Sequence, residues 1–194
     1  MLQVKRLNCG SGNIPLQGYT NIDKYYYVGS KNSNLNNKLA ESWDKAHPDS
    51  PWVYGDAASL ELPSDCFDEV IMVHTLEHLS MDDGNLAIRE ISRVLKPGGF
   101  CEIEVPDIVE ACKLLTIYPF RPGGDNAKWL RVMGLIYGTT GADGEGQHHL
   151  CGYSHEYLKF KMEQHNLKDI EEIEVGKGHG RPEPEYDFRL RGYK

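Results

Sequence analysis

Nothing in this sequence is long and apolar enough to suggest a membrane-spanning helix, which needs about 20 predominantly apolar residues. Basic residues are the minority, 21 Lys and Arg against 29 Asp and Glu, giving a formal net charge of −8. That balance disfavours a nucleic-acid binder or a membrane-surface binder, both of which usually present a basic face. Cysteines are few: Cys9, Cys66, Cys101, Cys112 and Cys151 are scattered, odd in number and form no C-x-x-C pair. They suit reduced thiols rather than a disulfide framework. The opening residues carry Lys5 and Arg6 but no apolar stretch behind them, so no secretory signal is expected and the reading is cytoplasmic. Internal repeats and low-complexity tracts are absent, and 194 residues suit one domain, 1–194.

What is present is a pattern of short strands and amphipathic helices. Strands are expected at 3–9, 19–23 and 52–56, with a helix near Leu39–Ala46. The continuous apolar run Val70–Val73 suits a strand buried on both faces of a parallel sheet. Ser80 with Asp83 three residues on predicts a helix start, and Leu86, Ala87, Ile91, Val94 and Leu95 recur at helical spacing. Pro97, Gly98 and Gly99 are expected to stop that helix before a strand at Phe100–Val105. Strand, helix and strand in this order make a right-handed βαβ unit. Further helices are expected at Ile108–Leu115, around Trp129–Ile136, and after Ser154, with Asn166 as a left-handed stop. Two strands, 169–175 and 186–191, close the chain, and the alternation in "YDFRLR" is that expected near an antiparallel edge.

The chemistry concentrates in "RLNCGSGNIPLQGYTNID", residues 6–23. Gly10 and Gly12 follow a strand, where glycine permits positive φ and lets a ligand lie against the backbone. A dinucleotide fingerprint needs a third glycine opening a helix and an acid about 20 residues later. Here Pro15 takes the third position, and Asp23 comes only eleven residues after Gly12. Asp23 ends a strand beside the glycine turn, where a carboxylate can accept both hydroxyls of a ribose. Asp56 ends the next strand, where it can accept from an adenine amino group, with the Ala57 backbone reading the ring. Together these strand ends form a nucleoside pocket at the carboxyl edge of the sheet.

With these residues in view, the chain resembles the class I S-adenosylmethionine-dependent methyltransferases. "LNCGSG" resembles their first motif, and "NID" the segment ending in the ribose acid. "GDAASLELPSDCFDEVIMVHTLEHL" and "REISRVLKPGGFCEIEVPD" resemble their fourth- and fifth-strand segments. The pattern L-N-x-G-x-G-x-x-P-x-x-G-Y/W-x-N-I/V-D is similar to that of a small type-11-like subgroup with a short connection between the first two strands. The resemblance implies a Rossmann-like, mostly parallel seven-stranded α/β sheet of order 3-2-1-4-5-7-6, with the last strand antiparallel. It implies S-adenosyl-L-methionine as cofactor and S-adenosyl-L-homocysteine as product. It puts Asn8, Cys9, Gly10 and Gly12 around the methionine part, Asp23 on the ribose, and Asp56 with Ala57 on the adenine. Asn8 stands where most members carry an acid, and Ile14 where many carry a third glycine.

His74 follows the fourth strand, and the resemblance places it near the sulfonium and the acceptor. It is the candidate general base; the alternative is a histidine that shapes the site. His78 reads as structural, ahead of the cap at Ser80, and Glu77 as a supporting partner or a surface carboxylate. His148 and His149 are candidates for a wall facing the acceptor. No metal site is expected from His148, His149, Cys151 and His155, because no standard zinc spacing is met. Variable insertions at about 24–52 and 117–150 are expected to cover the acceptor site. The acceptor is expected to be a small molecule or glycan offering an O or N nucleophile. The competing readings are a nucleotide-dependent oxidoreductase and a catalytically silent cofactor-binding partner subunit.

Overall fold

The computed structural model describes residues 4–25, 41–138, 148–175 and 186–194. Strands β1 (Arg6–Cys9), β2 (Thr20–Asp23), β3 (Trp52–Tyr54), β4 (Phe67–Val73), β5 (Leu95–Pro106), β6 (Lys168–Ile173) and β7 (Asp187–Tyr193) form one sheet of order β3-β2-β1-β4-β5-β7-β6. β7 runs antiparallel to both neighbours, β5 and β6, and all other pairings are parallel. The helices are α1 (described over 41–46), α2 (Met81–Val94), α3 (Ile108–Ile117), α4 (Ala127–Tyr137) and α5 (His155–Gln164). The architecture expected from the sequence is therefore the one observed. The start of the expected helix at Leu39 and of the strand at 3–9 lie outside the described residues.

The core forms because β4 is apolar on both faces. Val70 and Met72 are fully buried, and so are Ala87, Ile88, Ile91 and Val94 on the inner face of α2. Burying a side chain of this size contributes about 1.5–3 kcal/mol. Ser80 starts α2 as expected, its Oγ accepting from the Asp83 amide at 3.1 Å. The end of α2 differs from expectation. Val94 is its last helical residue, and Leu95 is already extended and paired with Phe67. A proline disfavours helical backbone at the residue before it, so Pro97 acts one step upstream, on Lys96. Residues 96–99 then bulge out of β5 opposite Asp68, with Gly98 at φ +80°. A Cβ on Gly99 would lie 2.9 Å from the Asp68 carbonyl oxygen.

β7 lies beside the edge strand β6 and antiparallel to it, as expected, and it alternates, with Phe188 and Leu190 buried on one face. On its other face the Arg191 side chain keeps 32% exposure. Arg189 is only 2% exposed there. The cross-strand register explains this: Glu104 lies opposite Arg189 and Glu102 opposite Arg191. Opposite charges in directly facing positions satisfy one another.

The order of strands creates the site. β1 lies between β2 and β4, so the connections leaving β1 and β4 turn to opposite sides of the sheet. The carboxyl ends of β1, β2, β3 and β4 then border one crevice, where ligands bind in open α/β sheets.

Candidate active site

The glycine turn after β1 is held by backbone bonds. The Gly10 and Ser11 amides both donate to the Ile22 carbonyl at 2.9 Å. Gly10 has φ +75° and Gly12 φ +53°. A Cβ on Gly10 would lie 2.2 Å from Thr75 Cγ2, and the Thr75 hydroxyl donates to the Gly10 carbonyl at 2.9 Å. Thr75 thus locks the turn to the end of β4 and leaves room there only for glycine.

Asp23, at the end of β2, accepts from the Gly12 amide on one oxygen and the Tyr25 amide on the other, each at 2.8 Å. A carboxylate offers about four acceptor sites, two of which these amides take. Asp56 accepts from the Ala58 amide at 3.0 Å and from Lys24 Nζ at 2.8 Å. Burial pushes its carboxyl upward, but the Lys24 ammonium and the Ala58 amide outweigh this and hold it below the usual range.

These groups border a cavity of about 510 Å³, within the roughly 300–1,000 Å³ of small-molecule sites. Gly10, Gly12, Asp23, Asp56, Ala57 and His74 all line it. Asn8 and Cys9 do not. The Asn8 side chain donates to Asn21 Oδ1 at 2.9 Å, and the Leu16 amide donates to the same oxygen at 2.7 Å. Asn21 in turn donates to the Leu16 and Tyr19 carbonyls. Asn8 therefore supports the loop from behind, where an acid would confront the Asn21 oxygen. The Cys9 thiol is fully buried, and burial first, then the charges of Asp23 and Asp56, push its pKa far up. It is an inert packing group.

His74 sits at φ +48°, a left-handed conformation rare for a non-glycine residue. Its Nδ1 lies 3.1 Å from Glu77 Oε1, and its Nε2 lies 2.7 Å from Asp187 Oδ2 and 3.4 Å from Glu104 Oε1. Burial works against the charge, but these carboxylates outweigh it and push the pKa up to about 11. Both ring nitrogens face acids that favour the protonated form, an environment that suits the site-shaping alternative better than the base. Glu104 continues this network of contacts to Arg189, whose Nε donates to Glu104 Oε2 at 2.6 Å. Arg191 Nε donates to Glu102 at 3.1 Å. Glu77 is 2% exposed and so is not a surface carboxylate. The sequence signal for this network was the pairing of alternating acids in "EIE" of β5 with alternating arginines in "RLR" of β7.

His148 is exposed and His149 half-buried, and neither lines the cavity; Leu150 does. Burial pushes the His149 pKa down, outweighing the attraction of Glu77. His149 stacks edge-on against His78 at 4.9 Å between ring centroids, and His78 does line the cavity. His155 stands apart, 3.7 Å from Glu172. Lys24, Thr75 and Leu79 are lining residues that the sequence reading did not single out, and Asp83, expected as part of the α2 cap, lines the cavity too. Of Tyr25, Tyr26 and Tyr27, which the sequence allows to line a pocket or to pack on the surface, Tyr25 lines the cavity and the other two lie outside the described residues.

A glycine turn and two strand-end acids around one cavity at the sheet's switch point define an α/β domain built for a nucleoside-containing ligand. A family model described as "Methyltransferase domain" matches residues 7–103, half of the sequence. The chain belongs to this methyltransferase family. A demethylmenaquinone methyltransferase of Chlamydia trachomatis serovar L2 is 32% identical over 95 residues, covering 48% of this chain and 39% of that protein. The match thus spans about two fifths of the length of the curated relatives. Among solved structures, an S-adenosylmethionine-dependent methyltransferase from Methanosarcina mazei superposes with TM-score 0.62 at 16% identity, over 100% of this chain and 94% of that one. A Pyrococcus horikoshii protein superposes with TM-score 0.62 at 16% identity, over 97% and 81%. At these identities the likeness is one of fold. The family sets aside the oxidoreductase reading.

Proposed function

We propose that this chain catalyses in-line methyl transfer from S-adenosylmethionine to an O or N nucleophile of a small-molecule or glycan-type acceptor. The observation that carries the reading is one cavity lined both by Gly10, Gly12, Asp23 and Asp56 and by His74, His78 and Leu150.

The first four fit the cofactor. Gly10 and Gly12 line the cavity and present backbone to the methionine part. Asp23 accepts from the ribose hydroxyls. Asp56 and the backbone at Ala57 receive the adenine, whose amino group shares Asp56 with Lys24. When bound, the cofactor would supply a methyl group already activated on a sulfonium: the nucleophile–carbon bond forms as the carbon–sulfur bond breaks, S-adenosylhomocysteine leaves, and the acceptor's proton passes to solvent. The chain's contribution is mainly alignment, which is worth up to about 7–11 kcal/mol in a well-oriented site. Thr75 fixes the glycine turn against the end of β4. The His74 network holds the turn after β4.

The test is transfer of label from methyl-tritiated S-adenosylmethionine by the full chain. Acceptors are panels of phenols, alcohols, amines and sugars, run beside RNA, DNA and protein. Label entering one of the small-molecule classes supports the reading. Label entering only nucleic acid or protein overturns the acceptor class.

A further inference from the structure

From the juxtaposition of Glu77 and His149 with His78, which lines the cavity, we infer a binding site for a divalent first-row transition-metal ion. One ligand atom from each residue lies within 4.8 Å of the others. Two imidazole nitrogens and one carboxylate oxygen match three-ligand zinc sites and related iron, cobalt and manganese sites that keep open positions.

Three further features show a prepared site. His78 Nδ1 lies 3.1 Å from the His148 carbonyl oxygen, and His149 Nδ1 lies 3.0 Å from the Leu135 carbonyl oxygen. A carbonyl only accepts, so both Nδ1 atoms are the protonated donors, and in the neutral ring this tautomer leaves the lone pair on Nε2. Fixing the tautomer and ring through a backbone carbonyl is the usual support for a metal-bound histidine. Next, the Glu77 carboxylate is 2% exposed and its Oε2 has no hydrogen-bond partner among the described residues. A buried, unpartnered carboxylate oxygen is costly, and a cation would satisfy it. Its other oxygen, Oε1, faces His74 Nδ1 at 3.1 Å, which orients the carboxylate. Finally, the backbone brings the distant histidine in. The Leu150 and Cys151 amides both donate to the Glu77 carbonyl, at 2.8 and 3.2 Å, so the 148–151 segment is tied to the turn that carries Glu77 and His78.

A second trio, His74 with Glu104 and Asp187, also lies close together, but Arg189 already occupies Glu104. In the Glu77 trio His74 faces only Oε1, and Oε2 is the oxygen left for an ion. Because His78 lines the cavity, the open coordination positions face it, and they suit an oxygen of water or, resting on the methyltransferase reading, of the acceptor.

The probes are Zn²⁺ by calorimetry and Co²⁺ by visible absorption, titrated into chelator-stripped full-length protein. The expected result is one equivalent bound, with a ligand-field spectrum of a nitrogen- and oxygen-coordinated ion. Glu77→Gln and His149→Ala should each weaken binding at least 100-fold, while His165→Asn, away from the site, should leave it intact. Should Glu77→Gln fail to fold, His149→Ala and His78→Asn carry the test. No uptake by folded protein, or uptake unchanged in the ligand variants, overturns the site. S-adenosylhomocysteine binding is measured on the same samples. Cofactor binding without metal uptake refutes this site alone, and metal uptake without cofactor binding refutes the functional reading alone.

Discussion

Replacing Gly10 with alanine tests how the glycine turn is built. Two costs follow from the structure. At φ +75° an L-residue carries roughly 1–2 kcal/mol of backbone strain. The new methyl would also lie 2.2 Å from Thr75 Cγ2 and 2.3 Å from Thr75 Oγ1, and Thr75 cannot swing aside without losing its bond to the Gly10 carbonyl. Overpacking of this kind costs about 1–3 kcal/mol. The sum, about 2–5 kcal/mol, corresponds to a fall in Tm of roughly 4–20 °C in a domain of this size. Differential scanning fluorimetry reads the fall, and calorimetry with S-adenosylhomocysteine reads an accompanying loss of affinity of at least about tenfold. Adding Thr75→Gly removes all the clashing atoms, so the double variant should recover the packing part and keep the strain part. A Gly10→Ala protein melting within about 2 °C of the parent refutes the reasoning. A double variant no better than the single refutes the role given to Thr75.

Arg189→Met leaves Glu104 buried without its guanidinium and should cost about 3–5 kcal/mol in urea denaturation, because breaking a buried pair strands the remaining charge. Glu104 itself gives a pH signature. Burial pushes its carboxyl up, but His74 and Arg189 outweigh this and hold its pKa below the ordinary 4.5. Its contribution to stability is therefore complete above that value and lost as pH falls through the lower folded one, so Glu104→Gln should flatten the stability profile on the acid side. His74→Asn, which tolerates the left-handed backbone, should lower Tm without removing any near-neutral inflection from the pH–rate profile; loss of such an inflection would make His74 the base. Asn21→Ala leaves the buried Asn8 amide short of its partner and should cost about 1–3 kcal/mol, with S-adenosylhomocysteine affinity falling as the loop loosens.

The local periodicities made most of the fold legible. The apolar run of β4, the Ser80 cap and the short step from Gly12 to Asp23 each reflect a constraint carried within a few residues. Asp23, Asp56, Gly10 and His74 could be brought to one cavity because parallel strands in this order align their carboxyl ends. The roles of His74 and Asn8 were less accessible, since each is set by a partner far along the chain or across a loop. Asp187 and Glu104 decide the charge on His74, and Asn21 decides where Asn8 points. Likewise the partners of Arg189 and Arg191 emerge only from the register of β7 against β5, which sets them opposite Glu104 and Glu102. The union of His149 with Glu77 and His78 depends on two backbone bonds to the Glu77 carbonyl, which no local pattern announces.

The central claim is that this cavity holds S-adenosylmethionine through Asp23. Isothermal titration of the full chain with S-adenosylhomocysteine, beside NADH, tests it most directly. The account predicts one equivalent of S-adenosylhomocysteine bound, no binding of NADH, and at least a tenfold loss of affinity in folded Asp23→Ala. Binding of NADH alone, or an affinity for S-adenosylhomocysteine unchanged in Asp23→Ala, would contradict it.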